Sequence, residues 1–106
     1  MTVKYNDYGE LTMGGTSLKT LALSFGTHTI VYDEDQIRHQ MRRYHTAFKQ
    51  SGLTYNISYA SKAFTCLQMV KLVQEEGLQL DVVSEGELYT ALSAGFDPKQ
   101  IHFHGN

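Results

Sequence analysis

The chain has 106 residues, 42% of them hydrophobic and 19% charged, with a formal net charge of −2. That is globular composition, and at this length one domain is the ceiling. The near-neutral balance excludes a basic stripe for nucleic acid, since Arg38, Arg42 and Arg43 read as the solvated face of one helix.

Cys66 is the single cysteine, which excludes a disulfide framework and points to a reducing compartment. No apolar stretch approaches membrane-spanning length, and the start MTVKYNDYGE lacks the apolar core of a signal peptide. The expectation is a cytoplasmic protein with neither membrane nor nucleic-acid partner.

Residues 1–26 stand apart. Gly14-Gly15 is a turn signal, and Thr16-Ser17 is placed to cap a short helix through Ala22 to Phe25 that Gly26 ends. THTIVYD, residues 27–33, is rich in β-branched and aromatic residues and predicts a strand. Asp33 with Gln36 forms a helix-start signal, after which Ile37, Met41, Tyr44 and Phe48 recur at helical spacing until Gly52. YNISYA predicts a second strand, followed by a helix with Leu67, Val70 and Val73 on one face and Gly77 as its stop. LQLDVVS predicts a third strand. Ser84 and Glu87 form a capping box for a helix closed by Gly95; Asp97-Pro98 then turns the chain into a fourth strand at IHFHG.

The order β-α-β-α-β-α-β with short connections predicts an α/β fold with a parallel sheet, doubly wound or part of a TIM-type (β/α) barrel. A complete eight-fold barrel needs roughly 250 residues. The chain stops straight after its fourth strand, so the expectation is the first β/α units only.

Side chains alternate along a strand. Ile57 and Tyr59 share one face of the second strand, while Ser58, Ala60 and, if the extended conformation persists, Lys62 share the other. In the third strand Leu80 and Val82 point toward helices, with Asp81 and Val83 inward. In the fourth, Ile101 and Phe103 point toward helices, with His102 and His104 inward. Active sites of such folds lie at the carboxyl ends of the strands.

Lys62 therefore has two readings, a solvated surface amine or a Schiff-base amine above small residues that leave room for a flat aromatic cofactor. Asp81 is either a half-buried carboxylate satisfied by backbone donors or a partner of the cofactor site. Ser84 and Glu87 read most simply as a helix cap. His102 and His104 would give a metal only two ligands, so no metal site is expected and hydrogen-bonded histidines are. His28, His39 and His45 read as surface or loop positions. Cys66 reads as a small core residue inside a helix. Gly14-Gly15 carries no nucleotide signal.

Lys62 in YASKAF, then DVVSEGELYTALSAGF, then IHFHGN, in that order and at those separations, resemble the diaminopimelate decarboxylases. These are pyridoxal-phosphate enzymes built on an alanine-racemase-like barrel. Upstream, LTMGGTSLKTLALSFGTHTIVYDED resembles the family's opening, which usually ends in GTPLYVYD, with His28 here where proline is usual. Phe64 stands where many relatives have asparagine.

The resemblance implies that Lys62 holds pyridoxal 5'-phosphate through an imine. Meso-diaminopimelate displaces it, loses carbon dioxide from its D-configured centre and becomes L-lysine by protonation. It implies cofactor-site roles for Asp81, Glu87 and, in the HGN motif, His104. It assigns residues 1–26 to a β-domain and 27–106 to the first units of the barrel, with TIVYD open between the two, and it implies a homodimer. The phosphate-binding loop and substrate residues would lie beyond Asn106, so the segment alone is expected to be inactive. The alternatives are a relative acting on ornithine, carboxynorspermidine or a racemised amino acid, a metal-dependent barrel hydrolase, or a non-catalytic β/α scaffold.

Overall fold

The computed structural model describes residues 3–105. It separates into two compact units, one within residues 1–40 and one within residues 41–106.

In the first unit three short strands form an antiparallel sheet in the order β1-β2-β3: β1 (Val3–Tyr5), β2 (Leu11–Met13) and β3 (Thr16–Ser17). Val3 lies opposite Met13 and Thr12 opposite Ser17. Gly14 and Gly15, at φ 57° and 83°, make the two-residue connection. Positive φ at both central positions is the type I′ pattern whose twist suits a hairpin. Helix α1 (Leu18–Phe25) starts where Ser17 Oγ accepts from the Thr20 amide, and ends with the Gly26 amide donating to Ala22 O at 2.8 Å. The glycine turn, the Ser17 cap and the Gly26 stop all match the expectation.

The strand expected at 27–33 does not form; this stretch is irregular. β-Propensity is realised only against a neighbouring strand, and here Ile30 and Tyr32 are exposed. Two side chains are committed elsewhere. Thr29 Oγ1 donates to Phe25 O and Gly26 O at the end of α1. Asp33 Oδ1 accepts the amides of Asp35 and Gln36, starting helix α2 (Glu34–Ser51) as the sequence signal predicts.

The second unit contains a parallel sheet in the order β4-β5-β6: β4 (Ser58–Ala60), β5 (Gln79–Val82) and β6 (Ile101–Phe103). The connections are helix α3 (Leu67–Glu75) and helix α4 (Glu85–Ser93). Their apolar stripes and one face of β5 form the core: Met69, Val70, Leu72, Val73, Leu78, Leu80, Val82, Ala91 and Phe96 are buried. Leu80 and Val82 have no exposed surface. They face the helices as alternation predicts, which turns Asp81 to the opposite face.

Two local expectations need correction. Cys66 is not inside a helix; it is the N-cap of α3, with Sγ accepting the Met69 amide at 3.4 Å. His45 is not an ordinary surface position. It is half-buried on α2, with Nε2 2.7 Å from Glu76 O and Nδ1 3.1 Å from the Tyr55 hydroxyl. With Nε2–H donating to the carbonyl, Nδ1 accepts from Tyr55. Beside it Arg42 grips both carboxylate oxygens of Glu76 at 2.8 and 2.9 Å. Together these bonds fasten the second half of α2 to the end of α3.

Candidate active site

Register brings the chemistry together. Ala60 pairs with Asp81, and Asp81 with His102, so the three share one level of the parallel sheet. Immediately beyond β4 the chain does not stay extended, as the alternation argument for Lys62 assumed. It tightens into a 3₁₀ turn, Ser61–Ala63. Side chains in such a turn step around its axis by a third of a rotation. Ser61 is consequently directed into the body of the unit, fully buried, while Lys62 is exposed.

A cavity of about 210 Å³ opens at this carboxyl edge, lined by Ala60, Ser61, Lys62, Asp81, Val83 and His104. Asp81 Oδ2 lies 3.4 Å from His104 Nε2, the carboxylate 27% and the imidazole 65% exposed. The His104 amide donates to Val82 O at 2.8 Å, continuing the ladder past β6 and holding the imidazole at the cavity edge. One primary amine, one carboxylate and one imidazole thus converge above a floor whose strand residue is alanine. Asn106, the last residue of the HGN motif, lies outside the described residues.

His102 takes a different course from His104. Its Nε2 is 2.7 Å from Gln79 Oε1, one step back from the strand ends, and it does not line the cavity. Among the described residues no group of three or more His, Cys, Asp or Glu side chains is placed to hold a metal ion.

Glu87 stands behind the cavity wall. The capping box forms as predicted: Ser84 Oγ accepts the Glu87 amide at 3.2 Å and donates to Glu87 Oε2 at 2.7 Å. The Val83 amide also donates to Oε2, at 3.3 Å. The other carboxylate oxygen, Oε1, lies 2.9 Å from the buried Ser61 hydroxyl, which also reaches Asp81 O at 2.8 Å. The Ser84 hydroxyl first, then the Ser61 hydroxyl and the amides of Val83 and Ser84, hold the Glu87 carboxyl below its ordinary value against partial desolvation.

Ser61 is the residue the sequence argument overlooked. Its available signal was position: a hydroxyl between Ala60 and Lys62 at a strand end points to the face opposite theirs, toward the core, and therefore needs acceptors.

The family model described as "Pyridoxal-dependent decarboxylase, pyridoxal binding domain" matches residues 34–106. The chain belongs to this decarboxylase family. Among named relatives, the diaminopimelate decarboxylase of Staphylococcus aureus (strain COL) is 82% identical over 106 residues, all of this chain and 25% of that protein. The Bacillus subtilis (strain 168) diaminopimelate decarboxylase is 49% identical over 105 residues, 99% of this chain and 24% of that protein. A crystal structure of diaminopimelate decarboxylase from M. jannaschii in complex with L-lysine superposes with TM-score 0.88 at 38% identity, covering 99% of this chain and 25% of that one. The chain therefore spans about a quarter of the length of the decarboxylases it matches. The stretch that this family model matches contains the whole of the cavity described above.

Proposed function

We propose that this segment is part of a pyridoxal-phosphate-dependent decarboxylase that converts meso-diaminopimelate to L-lysine and carbon dioxide. The observation that carries the proposal is the convergence of Lys62, Asp81 and His104 on one cavity within the stretch matched by the pyridoxal-binding family model. The substrate rests on the names of the relatives and on the L-lysine held by the M. jannaschii neighbour.

The residues fit the group. A pyridoxal aldehyde needs a primary amine, room for a flat ring and polar partners at its edge. Lys62 supplies the amine, Ala60 the room, and Asp81 with His104 the partners. The cavity is smaller than the roughly 300–1,000 Å³ of complete ligand sites, so it takes the reactive end of the cofactor. The phosphate and the substrate are held by parts of the enzyme beyond this segment.

Lys62 is the attachment point, an exposed amine on a turn fastened at both ends. Attack on a carbonyl requires that amine in its neutral form. Asp81 is an anionic acceptor on the cavity wall, and His104 at 3.4 Å orients it and moves protons at the same edge. Glu87 acts from behind, through Ser61. Bound pyridoxal phosphate supplies the electron sink for the pair left when carbon dioxide departs. The balance is one substrate and one proton giving L-lysine and carbon dioxide.

In this reading residues 1–26 belong to a β-domain, and 27–106 contribute successive β/α units of a TIM-type barrel in a cytoplasmic homodimer. Among the described residues no helix is long and apolar enough to cross a membrane. The test uses the complete enzyme. It should be yellow, bleach with borohydride, carry the reduced label on the Lys62 peptide, and form lysine from meso-diaminopimelate but not from ornithine. A label on another lysine, or decarboxylation of ornithine in preference, overturns the assignment.

A further inference from the structure

We propose that Ser61 is a positioning residue for the Lys62 amine, acting as a latch that joins the two walls of the cavity through Glu87. The inference rests on the pyridoxal reading for its consequence but on geometry for its existence. One wall is the β4 end with its 3₁₀ turn, carrying Ala60, Ser61 and Lys62; the other is the β5 end, carrying Asp81 and Val83. Beside the β4–β5 ladder, whose last residue pair is Ala60 with Asp81, the Ser61 hydroxyl ties the first wall to the second. Ser61 Oγ lies 2.8 Å from Asp81 O and 2.9 Å from Glu87 Oε1. Glu87 in turn holds the Val83 amide and Ser84. The latch is therefore attached to both residues of the second wall that line the cavity.

The turn is otherwise rigid. Ser61 O accepts the Phe64 amide at 3.1 Å and the Thr65 hydroxyl, while the Tyr59 hydroxyl donates to Phe64 O at 2.8 Å. A turn stiff within itself moves as a body, and whatever fixes its rotation fixes the direction of Lys62. Ser61 is that fixture, because it is the fully buried side chain of the turn. Replacing its hydroxyl by hydrogen would leave the Glu87 oxygen without its partner and the turn free to rotate about the strand end. Lys62 lies one residue away, so the rotation is transmitted directly to its amine.

The test uses the complete, cofactor-depleted enzyme with Ser61→Ala, Glu87→Ala, the double variant and Glu87→Gln. Two quantities are read: the dissociation constant for pyridoxal phosphate by absorbance titration, and the rate at which trinitrobenzenesulfonate modifies Lys62 relative to Lys71 on α3. Losing a hydrogen bond to a charged group should weaken cofactor binding about ten-fold in each single variant. The double variant should fall well short of the product of the single effects, because the two residues share the Ser61–Glu87 contact. Glu87→Gln keeps an oxygen acceptor and should stay within about three-fold of wild type. The Lys62:Lys71 labelling ratio should change about five-fold or more in Ser61→Ala.

A role in stability alone would lower the melting temperature and leave that ratio at its wild-type value, which overturns the proposal. Multiplying effects in the double variant overturn it too. Should Ser61→Ala fail to fold, Glu87→Ala reads the same contact from the partly exposed side. Because the labelling ratio needs no cofactor, it decides the latch even if wild-type enzyme takes up no pyridoxal phosphate, a result that would overturn the proposed function instead.

Discussion

Ser84→Ala removes both hydrogen bonds of the hydroxyl that starts α4, and its effect should depend on pH in a defined direction. In the folded chain the Ser84 hydroxyl accepts the Glu87 amide at 3.2 Å and donates to the Glu87 carboxylate at 2.7 Å. Loss of a serine N-cap costs about 1 kcal/mol, which is about a five-fold change in the equilibrium between closed and frayed first turn. The Ser84 hydroxyl is also the largest influence holding the Glu87 carboxyl below its ordinary value. A carboxylate with a depressed folded value stabilises the folded state fully above its unfolded value and loses that contribution as pH falls through the folded one.

The difference between wild type and Ser84→Ala should therefore be constant from pH 7 down to about 5 and shrink as the pH falls through the ordinary carboxyl range and below it. Amide exchange at Glu87 and Leu88 measures it, the latter amide donating to Ser84 O at 3.1 Å. The ratio of variant to wild type at each pH cancels the intrinsic pH dependence of exchange. In a Glu87→Gln background the ratio should lose its fall at low pH. A flat ratio between pH 7 and 3 in the native background, or no faster exchange in the variant at pH 7, refutes the reasoning.

Three further outcomes are expected. Leu80→Ala, at a site with no exposed surface beside Asp81, should cost about 3–4 kcal/mol and accelerate exchange along β5 and β6 together; a loss under 1 kcal/mol would mean the strand is not the centre of the core. His45→Ala removes the contacts to Glu76 O and Tyr55 and should cost about 1–2 kcal/mol, read as faster exchange at the end of α3 with β5 unaffected. Gly14→Ala places a Cβ 3.2 Å from Asp33 Oδ2 at φ +57° and should cost about 1–2 kcal/mol, with faster exchange of the Asp35 and Gln36 amides that Asp33 caps.

Much of the second unit was legible because local rules and tertiary packing agree there. Alternation in LQLDVVS placed Leu80 and Val82 under the helices and Asp81 opposite, and S-x-x-E specified a cap that forms with both of its bonds. The stretch at 27–33 failed for the opposite reason. β-Branched composition states what a residue does when a strand lies beside it, and Thr29 and Asp33 spend their side chains on helix ends instead. His45 was misread because its partners, Tyr55 and Glu76 O, lie 10 and 31 residues away. Helical periodicity describes one element and cannot report a carbonyl on another.

Lys62 lines the cavity by a route other than the extended one that alternation required. Lys62 was placed with Ala60 and Asp81 by extending β4 through it, yet the chain leaves the strand at Ser61 and turns. Had the strand continued, Ser61 would have faced the core as a strand residue, within a ladder that already fixed its backbone, and its hydroxyl would have been dispensable to the direction of Lys62. The turn changes that. It removes the ladder from the residue before the lysine, so orientation passes from backbone pairing to a side-chain contact. The same event that brings an amine to the cavity mouth thus makes its aim depend on the Ser61 hydroxyl and the carboxylate facing it. Glu87 does not line the cavity; on the proposed account it acts there through Ser61, with its carboxylate held also by Ser84 and the Val83 amide.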